Sequence, residues 1–150
     1  MPSAATASPQ SRNKKVILCI DDYKRGLHGL RLILETAGYN VLTASSGRIG
    51  LRFLQSHPVH FVILDYSMPQ MNGEAVARKI RCTHPRLPII MLSGQIDVPE
   101  RASSAVDAFV SKGQPPAVLL GCLNLLSEGV PTKRPPGKVT HVITGRPNWL

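Results

Sequence analysis

The chain has 150 residues, 43% of them hydrophobic, and a formal net charge of +9. That length suits one domain with a buried core, while no apolar stretch is long enough to span a bilayer and the N-terminus lacks the apolar core of a signal peptide. Three widely spaced cysteines, Cys19, Cys82 and Cys122, form no CxxC or Cys/His cluster, which argues against a disulfide scaffold or zinc site and predicts a reduced, cytoplasmic setting.

Residues 1–13 are Ser-, Ala-, Thr- and Pro-rich and read as a disordered arm. From Val16 strand and helix patterns alternate. Val16–Ile20 reads as a first strand. Leu27, Leu30, Leu34 and Ala37 recur at helical spacing before Gly38, which predicts a helix over Tyr23–Ala37. Val41–Ala44 is a second strand. A helix carrying Ile49, Phe53 and Leu54 follows Ser45-Ser46-Gly47 and stops before Pro58. Phe61–Leu64 is a third strand, and Asn72 is the expected N-cap of a helix carrying Ala75, Val76, Lys79 and Ile80. Pro88–Leu92 is a fourth strand. Only a short or weak helix fits over Asp97–Ser104, because the interval is short and contains Pro99. Ala108–Ser111 is a fifth strand. Pro115-Pro116 opens a last helix carrying Val118, Leu119, Leu123, Leu125 and Leu126. Residues 127–150 hold Pro131, Pro135, Pro136 and Pro147 with Lys133, Arg134, Lys138 and Arg146; they read as a basic, Pro-rich flexible tail, leaving residues 14–126 as the folded domain with no room for an output domain.

Five strands apolar on both sides and alternating with helices predict an α/β parallel sheet covered on both faces. Right-handed crossovers and the flavodoxin-like order 2-1-3-4-5 put a crevice outside the carboxyl ends of the strands. The residues at those ends carry the chemical signal. The first strand ends in Asp21-Asp22, the third in Asp65, the fourth in Ser93 and the fifth in Lys112. Each alone has an ordinary reading: Asp21-Asp22 as helix caps, Asp65 as a turn former, Ser93 and Lys112 as loop residues, Phe109 as core. Their convergence on one sheet edge makes the joint ordinary reading weak.

That ordered set resembles the receiver domain of two-component response regulators. The resemblance covers about residues 14–126. It implies that Asp65 is the phosphoacceptor, Asp21 and Asp22 the acidic metal pair, Ser93 the switch hydroxyl, Phe109 the switch aromatic and Lys112 the lysine that contacts the phosphoryl group. The backbone carbonyl of Ser67 is implied as a further metal ligand. The residues themselves support a hard cation. Three carboxylates in one crevice repel one another, and Mg²⁺ takes oxygen ligands from one or two carboxylates while keeping several waters. The implied function is that of a stand-alone receiver that takes a phosphoryl group from a histidine kinase or phosphotransfer protein and signals through a downstream protein partner. It is not an enzyme beyond catalysing its own phosphorylation and dephosphorylation. A monomer or weak dimer, with no membrane contact and no specific nucleic acid, completes the expectation.

Gly113 departs from the pattern, because the family usually has a proline there, often with a cis peptide. A trans peptide or an altered loop, with Lys112 shifted, is the expected consequence. The face built by the 97–104 helix, the fifth strand and the last helix, where receivers often dimerise, transfers least well. Two other classes remain open. An Asp-nucleophile phosphohydrolase would show Asp-x-Asp after its first strand and a cap insertion; here the motif is Asp21-Asp22-Tyr23 with nothing inserted. A basic-tailed binding module would touch anionic surfaces in a salt-sensitive way, but the chain has no recognition helix or aromatic platform. His28, His57, His60, His84 and His141 show no metal-binding spacing.

Overall fold

The computed structural model describes residues 13–94 and 104–129. These form a five-stranded sheet of β1 (Val16–Ile20), β2 (Asn40–Ala44), β3 (Phe61–Asp65), β4 (Ile89–Ser93) and β5 (Ala108–Ser111), with helices α1 (Lys24–Thr36), α2 (Gly47–Ser56), α3 (Gly73–Thr83) and α4 (Pro116–Ser127). Strand order is β2-β1-β3-β4-β5 and all four pairings are parallel, as the alternating pattern predicts. The expected arm and tail, and all but the last residue of the expected 97–104 helix, lie outside the described residues, apart from Asn13 and residues 127–129.

Element ends move by a residue from the expected ones, each for a local reason. Tyr23 is the N-cap of α1 and Ala37 its C-cap, so neither is helical. Gly38 takes φ +97°, a left-handed turn that a side chain would strain. Strand β3 runs on to include Asp65, and β4 is Ile89–Ser93 instead of Pro88–Leu92, because proline has no N–H for the ladder. Ser46 and Asn72 cap α2 and α3, each side chain accepting from the amide three residues on.

Two apolar layers sandwich the sheet. Leu18, Ile20, Val62, Leu64, Ile89 and Met91 face α2 and α3, with Leu54, Val76, Ala77 and Ile80 against them. Ile17, Cys19, Phe61, Ile63, Ile90, Ala108 and Val110 face α1 and α4, with Leu27, Leu34, Leu119, Cys122 and Leu123. Burial on both faces is why β1 and β3 read as unbroken apolar runs.

At the amino ends of the strands, Arg81 of α3 ties three segments together. Its guanidinium donates to the carbonyls of Pro85, Leu87 and Ala105 and pairs with the carboxylate of Asp107. That carboxylate also accepts from the Ile89 amide at 2.8 Å. The opposite edge holds the candidate site.

Candidate functional site

A parallel sheet leaves its strand tips pointing into one crevice, and here those tips are held in register. The Asp21 amide donates to the Ala44 carbonyl at 3.1 Å, the Tyr66 amide to Leu92 at 3.0 Å, and the Lys112 amide to Ser93 at 2.9 Å. These bonds join the tips of β1 and β2, of β3 and β4, and of β4 and β5, and the pairing of Ile20 with Leu64 sets β1 beside β3. Among the described residues, those that are polar yet buried are Asp21, Asp65 and Ser93, at 7%, 4% and 2% exposure. All three belong to this edge. Burying a carboxylate costs several kcal/mol unless it is compensated, so their clustering points to a function.

Asp21, Asp22 and Asp65 bring carboxylate oxygens within 4.8 Å of one another. Lys112 answers from β5, its Nζ 2.9 Å from Asp65 Oδ1 and 3.1 Å from Asp21 Oδ2. One ammonium therefore bonds two of the three carboxylates, Asp21 and Asp65. Burial pushes the Asp65 carboxyl above its usual range. The Lys112 hydrogen bond pulls it down, the Asp21 charge pushes it up again, and the Ser67 amide pulls it down, with the balance upward. For Lys112, burial acts to lower the pKa, but the bonds to Asp65 and Asp21 outweigh it and hold the ammonium above its ordinary value. The cluster is thus short of positive charge. Its all-oxygen, anionic donor set fits a hard divalent cation such as Mg²⁺.

The loop after β3 is built to keep Asp65 in place. Gln70 adopts φ 67°, a left-handed turn. The Gly73 amide donates to the Tyr66 carbonyl at 2.8 Å. A Cβ at Gly73 would overlap the carbonyl of Asp65, so glycine is required where α3 starts against the strand tip. Met68 is buried in the core layer below, and exposed Ser67 stands between it and Tyr66.

Each residue singled out in the sequence falls at this edge or beside it. Gly113 does not draw Lys112 away: the ammonium reaches both carboxylates, and no cis peptide occurs among the described residues. Asp21 does not cap α1 directly; its Oδ1 accepts from the amide of the N-cap residue, Tyr23, at 2.9 Å. Phe109 is half-buried on β5, paired in register with Met91 and packed on the α2/α3 layer. Two features were missed. One is the Arg81–Asp107 knot, whose partners lie 26 residues apart with no local signal. The other is a basic crevice along α1, whose Lys24, His28 and Arg31 do recur at i, i+4, i+7.

The geometry has counterparts. The sequence profile of the response regulator receiver domain matches residues 17–124. The transcriptional regulatory protein KdpE of Mycobacterium tuberculosis is 36% identical over 100 residues, which is 65% of this chain but 44% of that protein. The chain thus spans less than half the length of that relative. The response regulator protein TrrA of Thermotoga maritima, solved in complex with Mg²⁺-BeF, superposes with TM-score 0.72 at 31% identity over 75% of this chain and 98% of that one. The chemotaxis protein CheY4 of Vibrio cholerae superposes with TM-score 0.71 at 27% identity over the same 75% and 98%.

Proposed function

The chain belongs to the response regulator receiver domain family of two-component systems, and from that premise we propose that Asp65 accepts a phosphoryl group from a histidine kinase or phosphotransfer protein. The observation that carries the reading is the buried Asp65 carboxylate held 2.9 Å from the Lys112 ammonium within a three-carboxylate cluster. Asp21, Asp22 and Asp65, with the Ser67 carbonyl, would hold Mg²⁺. Bound there, it supplies positive charge for the acidic cluster and for an incoming phosphoryl oxygen.

A carboxylate oxygen of Asp65 attacks phosphorus. The bond from phosphorus to the donor imidazole nitrogen breaks, and its electron pair stays on that nitrogen, giving an aspartyl phosphate. Lys112 is already oriented by two carboxylates and exchanges one for a phosphoryl oxygen as a point charge. The Ser93 hydroxyl donates to another phosphoryl oxygen. Because the Lys112 amide is bonded to the Ser93 carbonyl, a shift at either tip moves the other, and Phe109 on the same strand changes its packing with it. The domain catalyses only its own phosphorylation and dephosphorylation, works in the cytoplasm, and passes the change to a protein partner. Among the described residues no helix is long and apolar enough to cross a membrane.

The test is mass spectrometry after incubation with Mg²⁺ and a small phosphodonor. Wild type should gain about 80 Da, the mass of a phosphoryl group, and the adduct should be labile to hydroxylamine. Asp65→Asn should gain nothing. An adduct on Asp65→Asn, or one that maps to a serine or histidine, overturns the assignment.

A further inference from the structure

Side chains at alternate positions of a strand share a face. On β2 and the residue after it, Thr43 and Ser45 flank Ala44 and face α1, while Ala44 packs in the opposite layer. Together with Lys24, Leu27, His28 and Arg31 they line a crevice of about 290 Å³. That is close to the lower bound for small-molecule sites, about 300 Å³. Its chemistry is one-sided. A lysine, an arginine, an imidazole and two hydroxyls converge over a leucine floor, and among the described residues no carboxylate lines it.

Of the two cations, Arg31 has one local partner, Glu35 four residues on, and the placement of Lys24 runs against its helix. Lys24 opens α1, where the helix dipole disfavours positive charge. That first turn has no acidic residue, and Tyr23 gives it no side-chain cap. Glu35 takes only the Nε of Arg31, at 2.8 Å, and a guanidinium has four further N–H donors. The nearby Asp21 carboxylate is turned to the Lys112 ammonium at 3.1 Å. The lining holds no Phe, Tyr or Trp ring; its one aromatic ring is the His28 imidazole.

We propose that this crevice binds a small phosphate-bearing anion, of the diphosphate or phosphorylated-metabolite class, at a site separate from Asp65. Lys24 and Arg31 supply the charge, with Arg31 offering a fork of donors, and Thr43 and Ser45 supply hydroxyl donors. The site does not depend on phosphoryl transfer and stands or falls apart from it.

The experiment is an amide ¹H–¹⁵N titration of the full chain with pyrophosphate in magnesium-free buffer, repeated on Asp65→Asn to keep the phosphoacceptor out of the reading. Sodium chloride at matched ionic strength is the reference. Saturable shifts at Lys24, Thr43 and Ser45, unchanged in Asp65→Asn, are expected. Lys24→Ala and Arg31→Ala, each confirmed as folded by its amide spectrum, should weaken binding about tenfold, while Arg52→Ala on α2 should not. Three results overturn the proposal: shifts that track ionic strength alone, undiminished binding by both crevice variants, or saturation by an acidic peptide with none by pyrophosphate.

Discussion

Replacing Asp65 with its neutral isostere, asparagine, should make the metal-free protein more stable. At an effective dielectric of about 20, two unit charges 4.8 Å apart interact by about 3.5 kcal/mol, and Asp65 faces two carboxylates at or within that separation. Against this, the Lys112 ammonium at 2.9 Å returns about 6 kcal/mol on the same scale. Solvent screens both sides, because Asp22 is exposed and the Lys112 side chain is 37% exposed. Burial of the carboxylate adds to the unfavourable side. Asp65→Asn should therefore stabilise by about 1–2 kcal/mol, or about 3–8 °C in melting temperature for a domain of this size. The pH dependence has a definite sign. The folded pKa of Asp65 lies above its unfolded value, so the folded state binds that proton more tightly. Its penalty is absent at acid pH and sets in as pH rises through the carboxylate range. The gap between variant and wild type should open over the same range and stay open at neutral pH. Thermal melts in chelator from pH 3 to 8 measure it. Adding Mg²⁺ should then close the gap, since ligand at about 100 times its Kd raises wild type by about 2.7 kcal/mol. If Asp65→Asn melts below wild type at pH 7.5 in chelator, the lysine outweighs the repulsion and the reasoning fails.

Asp22→Ala should weaken Mg²⁺ binding and slow phosphorylation from a small donor; calorimetry showing unchanged affinity would reduce Asp22 to a structural role. Lys112→Ala should lower stability in chelator and recover with Mg²⁺, because Asp21 and Asp65 then lose their ammonium; the deficit should be full at neutral pH and vanish as pH rises through the raised pKa of Lys112. Arg81→Met should cost about 3–5 kcal/mol by denaturant unfolding, since it takes the compensating cation from the Asp107 carboxylate, which keeps the Ile89 amide, and removes the Arg81 donor from three carbonyls. Gly73→Ala should slow phosphorylation while the protein still folds, because the new methyl group presses on the Asp65 carbonyl; an unchanged rate would show that α3 can slide back freely.

Strand number, order and the strand-tip residues were legible because two-face burial writes itself as apolar runs and the parallel topology forces the tips together. Asp65, Ser93 and Lys112 stood out as polar residues ending those runs. Distances were not legible: the sequence offered no reason to expect that Lys112 would also bond Asp21, or that glycine at position 113 would leave the ammonium in reach. The Arg81 knot was hidden for another reason. Its acceptors are mostly backbone carbonyls, which carry no residue identity. The α1 crevice depends on which way β2 faces, and in the run Val41–Ala44 Thr43 alone hints at it.

The Arg81 knot has a mechanical consequence. It pins the ends of α3, β4 and β5 at the amino edge of the sheet, through bonds that phosphorylation at the far edge does not touch. Strands β4 and β5 are thus clamped by side-chain bonds at their amino ends and, at their tips, held only by the backbone pairing along the sheet. A push at Ser93 and Lys112 cannot translate the strands bodily. It flexes them, with displacement greatest at the loaded tip and least at the clamp. Loosening Arg81 would then spread the same push over the whole beam and blunt its amplitude at the tip, even with every phosphate contact intact.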